Sequence, residues 1–425
     1  MTIMKQILFI ACCAAVLLAA CKKDDNNDTP TPTVAQRTVM VYMSGDNNLS
    51  SVVMEDVREM LQGASGIPQN NNLVAFIDRN VGSEKPFIAK IKTDATLDTL
   101  YKYTSDFYAS DPEQFSEVLK QMTTLCPAKE YGLVLWGHAS GWVVESDTIA
   151  QKSNRAYGID TNKWMNITQM ARALKGLKDQ NVLPKLSFIF ADCCNMMCVE
   201  VGYELREVTD YLIGAPSEIP GYGAPYQLVV PQLFKSGSAL YKGIIDTYYD
   251  YYADSDHLTS AEKSRWPYMK DGYSVPLSVI DTKYIGNLAD RTHDMLERVT
   301  GGYPQYPNSP DLTAITFYWY YDTPMMYDMR ATMKRLLSEA DFSVWDATYQ
   351  LAVPYYRMSM KWMTIWGALS TSFSGFDPDE QKNGCVSMFI PQNTSSYSYG
   401  NMGYNKTSLN FAWSQVMNWK RFGWE

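Results

Sequence analysis

Cysteine is scarce in this chain. Three of its eight cysteines, Cys12, Cys13 and Cys21, fall at the start, leaving Cys126, Cys193, Cys194, Cys198 and Cys385. Those five are an odd number at irregular spacings, so a disulfide framework is not expected in a domain large enough to be held by its own core. Positive charge is also short: 37 Lys and Arg stand against 46 Asp and Glu, a formal net charge of -9. No basic stripe stands out, which argues against nucleic acid as a partner. Long apolar runs are missing as well. Residues 7–20 are apolar but too short to cross a bilayer as a helix, and no later segment is long and apolar enough. There is no internal repeat and no low-complexity tract beyond residues 22–36.

What is present begins with a core: 46% of residues are hydrophobic and 13% aromatic. At the N-terminus Lys5 precedes the apolar stretch, and small residues precede Cys21. The tetrad Leu18-Ala19-Ala20-Cys21 looks like a lipobox, the signal at which bacterial lipoproteins are cut and lipidated on the cysteine. Residues 1–20 therefore read as a lipoprotein signal peptide, and Cys21 as the anchor to a membrane. Residues 21–36 are polar and rich in Pro and Thr, and read as a flexible tether. The charges that follow Cys21 resemble the surface-export signals of some Gram-negative lipoproteins. The expected location is the outer membrane, facing either the cell surface or the periplasm.

Five short apolar runs, at residues 38–43, 73–77, 133–136, 186–190 and 211–215, have the unbroken character of parallel strands covered on both faces. Amphipathic stretches alternate with them. Asp46, Asn47 and Asn48 read as helix caps before Leu49, Val53, Val57 and Leu61. Phe115, Val118 and Leu119 mark a second helix, residues 167–177 a third and residues 198–208 a fourth. This order predicts an α/β fold with a doubly wound, mostly parallel sheet flanked by helices. The predicted domain covers residues 37–270, and residues 271–425 form a smaller α+β region with strands near 274–281 and 385–390. The aromatic run at 317–329 reads as packing.

Doubly wound sheets carry their sites in the loops past the carboxyl ends of the strands. Those positions hold residues 44–48, Asp78, the His138 loop, Asp192-Cys193-Cys194 and Ser217-Glu218. His257 lies in a polar loop and His293 in a helical stretch, and neither is expected to act. His138 follows a buried strand among Gly137, Ala139 and Gly141, which leave the imidazole accessible. A cysteine nucleophile needs such a base and an accessible position at an element's end. Cys193 and Cys194 share the turn, while Cys198 falls in the helix after it. Adjacent cysteines make poor tetrahedral geometry for zinc and a strained vicinal disulfide, so no metal is expected here.

These motifs resemble the clostripain family of cysteine peptidases, which share the caspase–gingipain fold. The likeness is carried by residues 39–49, by Leu135-Trp136-Gly137-His138-Ala139-Ser140-Gly141-Trp142, by Ala191-Asp192-Cys193-Cys194-Asn195-Met196 with Val199-Glu200, and by residues 217–223. It implies that Cys194 is the nucleophile and His138 its base, with Cys193 in the place of an alanine. The backbone N–H groups of Ala139 and Cys194 would form the oxyanion hole; Ala139 stands where the family has glycine, and keeps the N–H. Asp192 would line the pocket for the residue before the scissile bond and favour Arg or Lys there.

The implied activity is cysteine endopeptidase, acting on protein or peptide substrates as a monomer without a cofactor. Calcium enters only through the resemblance, since no calcium loop is recognisable. Self-cleavage is expected in the loop 145–158, at Lys152 or Arg155. The alternative is a catalytically silent caspase-fold surface lipoprotein that binds glycan or protein through its aromatic second half.

Overall fold

A computed structural model of the chain describes residues 34–143, 156–161, 163–254, 273–300, 312, 314–321, 323–362, 381–391 and 404–419. Cys21, Lys152, Arg155 and His257 lie outside the described residues.

Among the described residues the strands are β1 (Ala35–Gly45), β2 (Asn72–Arg79), β3 (Phe87–Ile91), β4 (Leu97–Lys102), β5 (Ala128–Trp136), β6 (Tyr157–Asp160), β7 (Lys163–Met165), β8 (Phe188–Asp192), β9 (Tyr211–Gly214), β10 (Leu277–Asp281), β11 (Phe317–Tyr321), β12 (Thr323–Asp328), β13 (Tyr355–Arg357) and β14 (Ser387–Met388). Nine of them form one sheet in the order β13-β10-β9-β8-β5-β1-β2-β3-β4. The middle five, β9-β8-β5-β1-β2, are parallel, as the apolar runs predict. Antiparallel strands extend both edges, β3 and β4 on one side and β10 and β13 on the other. The last two come from beyond residue 270, so the C-terminal region contributes directly to the main sheet.

Alternation along β1 shows why these runs must be apolar throughout. Met40 and Tyr42 face one core, whereas Val39, Val41 and Met43 face the other, and all five are fully buried. The first face is covered by α2 (Pro112–Leu125), α3 (Ile167–Asp179), α4 (Val199–Leu205) and the helix Thr282–Thr300. The second is covered by α1 (Val53–Gly63), α5 (Tyr226–Val229) and α6 (Ser238–Ala253). Each aliphatic side chain buried this way contributes roughly 1.5–3 kcal/mol.

Two local expectations change. The first helix begins at Val53 with Val52 at its cap and no side-chain cap bond, so Asp46, Asn47 and Asn48 do not cap it. The fourth helix begins after Cys198, whose backbone is extended at its N-cap. In the aromatic run, β11 and β12 pair and β12 joins β14, burying Tyr318 and Trp319.

Candidate active site

The register of the parallel strands sets one edge of the sheet. Ser44 stands opposite Asp78, Met43 opposite Trp136, and Trp136 opposite Asp192. The loops leaving β1, β5, β8 and β9 therefore emerge side by side. They enclose a cleft of about 330 Å³ lined by residues that include Asn48, His138, Ala139, Asp192, Cys194 and Glu218. His138, Ala139, Asp192 and Cys194 are thus brought together in one cleft, as the sequence reading expects of strand-end loops.

The histidine loop is held by its backbone. Gly137 has φ +139°, and a Cβ there would lie 2.9 Å from the Ser44 carbonyl oxygen, so only glycine lets the chain turn against β1. Ser140 N–H donates to the Ala156 carbonyl (2.9 Å) and Gly158 N–H to the His138 carbonyl (2.8 Å). Ala139 and Tyr157 between them form an antiparallel bridge. Its flanking residues make the cross-strand bonds, so the Ala139 N–H points away from Tyr157. His138 Nε2 lies 2.6 Å from Asn48 Oδ1.

The nucleophile loop is equally fixed. Asn195 N–H donates to the Ser217 carbonyl (2.9 Å) and Met197 N–H to the Ala215 carbonyl (3.0 Å), tying the turn after β8 to the segment after β9. Asn195 has φ +60°, a left-handed conformation that asparagine tolerates. Cys194 is partly exposed, and Ile219 N–H donates to its Sγ at 3.4 Å. A donor aimed at the sulfur favours the thiolate over the thiol. Its neighbours differ. Cys193 and Cys198 are fully buried, and burial pushes both thiols well above their ordinary range. No disulfide joins any two of the five described cysteines, and of them Cys194 alone is not buried.

Asp192 sits at the cleft floor, 2% exposed. Its carboxylate oxygens accept from Ala224 N–H (3.1 Å to each), Tyr226 OH (2.8 Å) and Tyr248 OH (3.2 Å). Burial raises its pKa to about 6, although these donors pull it back. Gly223 makes room for it, because a Cβ there would come within 2.5 Å of Asp192 Oδ2. A second buried acid lies on the same side. Asp56 of α1 accepts from Trp136 Nε1–H at 2.5 Å, and burial followed by the Asp192 charge holds it well above the carboxylate range.

Glu200, read from sequence only as a motif marker, is fully buried at the start of α4 and accepts from Phe389 N–H (2.8 Å). Burial raises it to about 8. Calcium asks for six to eight oxygen ligands. Among the described residues, the group with ligand atoms within 4.8 Å of one another is His293, Asp294 and Glu297, an imidazole and two carboxylates. That set does not suit an ion that takes oxygen alone.

The family model for the clostripain family matches residues 41–424. The chain belongs to the clostripain family. It resembles a secreted C11 cysteine protease from Bacteroides thetaiotaomicron, solved with an irreversible peptide inhibitor, at 26% identity over 91% of this chain and 99% of that one (TM-score 0.69). It also shares its fold with an inactive zymogen C11 protease from Parabacteroides distasonis, at 24% identity over 91% and 99% (TM-score 0.71). A search of curated proteins finds no match. This clostripain-family chain is therefore a cysteine peptidase, a hydrolase whose substrates are proteins or peptides.

Sequence reasoning placed Asn48 and Glu218 at site-bearing strand ends but gave neither a part in the site. Asn48 read as a helix cap because asparagine before an apolar repeat is a cap signal. Glu218 stood at a strand end without a role, yet it brings a further carboxylate into the cleft with Asp192.

Proposed function

We propose that this peptidase cuts after Arg or Lys through Cys194 and His138. His138 takes the thiol proton as Cys194 Sγ attacks the scissile carbonyl carbon. The oxyanion is held by the N–H groups of Ala139 and Cys194, each donor worth roughly 3 kcal/mol in comparable sites. As the C–N bond breaks, His138 returns the proton to the leaving amine, which departs and leaves a thioester. A water then attacks, His138 accepts its proton, and the acid product leaves with the thiol restored.

The observation that carries this reading is the shared cleft: the one partly exposed cysteine of those described and His138 line the same depression. Asp192 and Glu218 supply negative charge in it for a basic side chain, which supports the Arg or Lys preference. The bond from Ile219 N–H to Cys194 Sγ supports activation of that sulfur.

Two further parts of the proposal fall on residues outside those described. Self-processing would fall at Lys152 or Arg155 in the loop 145–158, and purified protein should then yield two fragments that Cys194→Ala does not. Lipidation would fall on Cys21, supported by the lipobox-like tetrad, and Cys21→Ala should lose membrane-fraction recovery and labelling by a radioactive fatty acid. The secreted Bacteroides thetaiotaomicron relative agrees with export of this chain, and the location proposed is the outer membrane. The enzyme would act as a monomer.

A fluorogenic peptide library varied at the residue before the cut tests the whole reading. Turnover of Arg and Lys peptides, lost in both Cys194→Ala and His138→Ala, supports it. Unchanged turnover in either variant overturns it.

A further inference from the structure

We infer that Asn48 is the positioning residue of the peptidase: it fixes the tautomer and ring orientation of His138, so that Nδ1 is the nitrogen that exchanges the proton with Cys194. The inference rests on the proposed Cys194–His138 reading and adds a third residue to it. The deciding observation is the 2.6 Å contact between His138 Nε2 and Asn48 Oδ1. A carboxamide oxygen only accepts, so Nε2 must carry a hydrogen. In the neutral imidazole the lone pair then lies on Nδ1. The same oxygen accepts from Nε2–H after Nδ1 is protonated, so the contact survives both halves of the catalytic cycle. A ring held this way neither flips nor shifts its proton from Nε2 to Nδ1, the nitrogen whose lone pair must take the proton of Cys194.

Asn48 is itself well placed for this. The neighbouring Asn47 pins the loop with both ends of its side chain. Its Oδ1 accepts from Leu49 N–H (2.8 Å), and its Nδ2 donates to the carbonyls of Ser44 (3.1 Å) and Ile159 (2.7 Å). The Ile159 bond ties the loop after β1 to β6, and β6 leads back to the His138 carbonyl through Gly158 N–H. The loops that carry Asn48 and His138 are therefore tied to the same short strand, one through Asn47 and the other through the His138 carbonyl. Two consecutive asparagines that do not cap a helix are accounted for: Asn47 holds the loop and Asn48 holds the imidazole.

Asn48 is exposed, so replacing it costs little in packing. Misplacing a reacting group by about 1 Å costs on the order of a hundredfold in rate. Asn48→Ala should therefore lower kcat by roughly tenfold to a hundredfold, with KM and the melting temperature near wild type. Asn48→Asp keeps an acceptor oxygen and should recover part of the loss. Its negative charge would also raise the imidazolium pKa and move the acid limb of the kcat/KM profile to higher pH. The titratable groups that share the cleft with His138 are Asp192, Cys194 and Glu218, unchanged in both variants.

Histidine 15N spectra read the tautomer directly, and with three histidines in the chain the His138→Ala spectrum assigns the signal. Wild type should show the Nε2–H form and Asn48→Ala a mixture. An Asn48→Ala enzyme within twofold of wild-type kcat and with an unchanged tautomer would overturn the role of Asn48, while leaving the dyad standing if His138→Ala is inactive. An active His138→Ala would overturn the dyad itself, and with it the reason for positioning that ring.

Discussion

Asp192 gives the sharpest pH test of substrate preference. An ordinary aspartate titrates near 3.8, but burial at the cleft floor raises this one to about 6. Its charged form is therefore the one lost as pH falls below about 6, and a basic side chain needs that charged form. A carboxyl titrating near 6 is about 9% ionised at pH 5 and about 97% at pH 7.5, a tenfold difference; one titrating near 3.8 would be about 94% ionised already at pH 5. The assay is the ratio of kcat/KM for two peptides that differ only in Arg or norleucine before the cut. The ratio cancels titration of the Cys–His pair. It should rise about tenfold between pH 5 and 7.5. Asp192→Asn keeps the shape and an acceptor oxygen for one of the two tyrosines, yet loses the charge. A hydrogen bond to a charged group is worth about 1.5–3 kcal/mol, so the variant should lower the ratio at pH 7.5 by about 10- to 150-fold and remove its pH dependence. A wild-type ratio that is flat across this range, or unchanged by Asp192→Asn, would refute the reasoning.

Other perturbations test the surroundings of the site. Gly223→Ala, at φ +59° and with its Cβ aimed at Asp192 Oδ2, should cost about 1–3 kcal/mol in denaturant unfolding and raise KM for Arg peptides. Trp136→Phe strips Asp56 of its indole donor and should lower stability by about 1–3 kcal/mol, read from thermal melts with ΔH measured. Glu200, raised to about 8, adds no penalty below its unfolded pKa, and its cost grows as pH rises to about 8. Glu200→Gln should therefore gain up to a few kcal/mol on wild type from pH 5 to pH 9 in urea titrations, and a constant difference would contradict that sign.

Much of this was legible because the physics is local. Parallel strands covered on both faces must be apolar throughout, so β1, β2, β5, β8 and β9 announce themselves, and their ends announce the site. The β3–β4 hairpin was not visible: β4 is largely exposed and carries no apolar period for a reader to find. The environment of Asp192 was hidden for another reason. Tyr226 and Tyr248 reach it from 34 and 56 residues away, a distance at which no local pattern speaks. Asn48 was misread because the residue that caps a helix also makes a good acceptor for an imidazole, and only the fold tells the two uses apart.

The central claim is that one sulfur and one imidazole do the chemistry. It is tested most directly by mapping, under native reducing conditions, which cysteine a peptidyl chloromethylketone ending in arginine alkylates. The account predicts a single adduct on Cys194, none on Cys126, Cys193, Cys198 or Cys385, the same rate in Cys193→Ala, and loss of the adduct in His138→Ala. An adduct on another cysteine, or labelling of Cys194 that persists at the wild-type rate without His138, would contradict it.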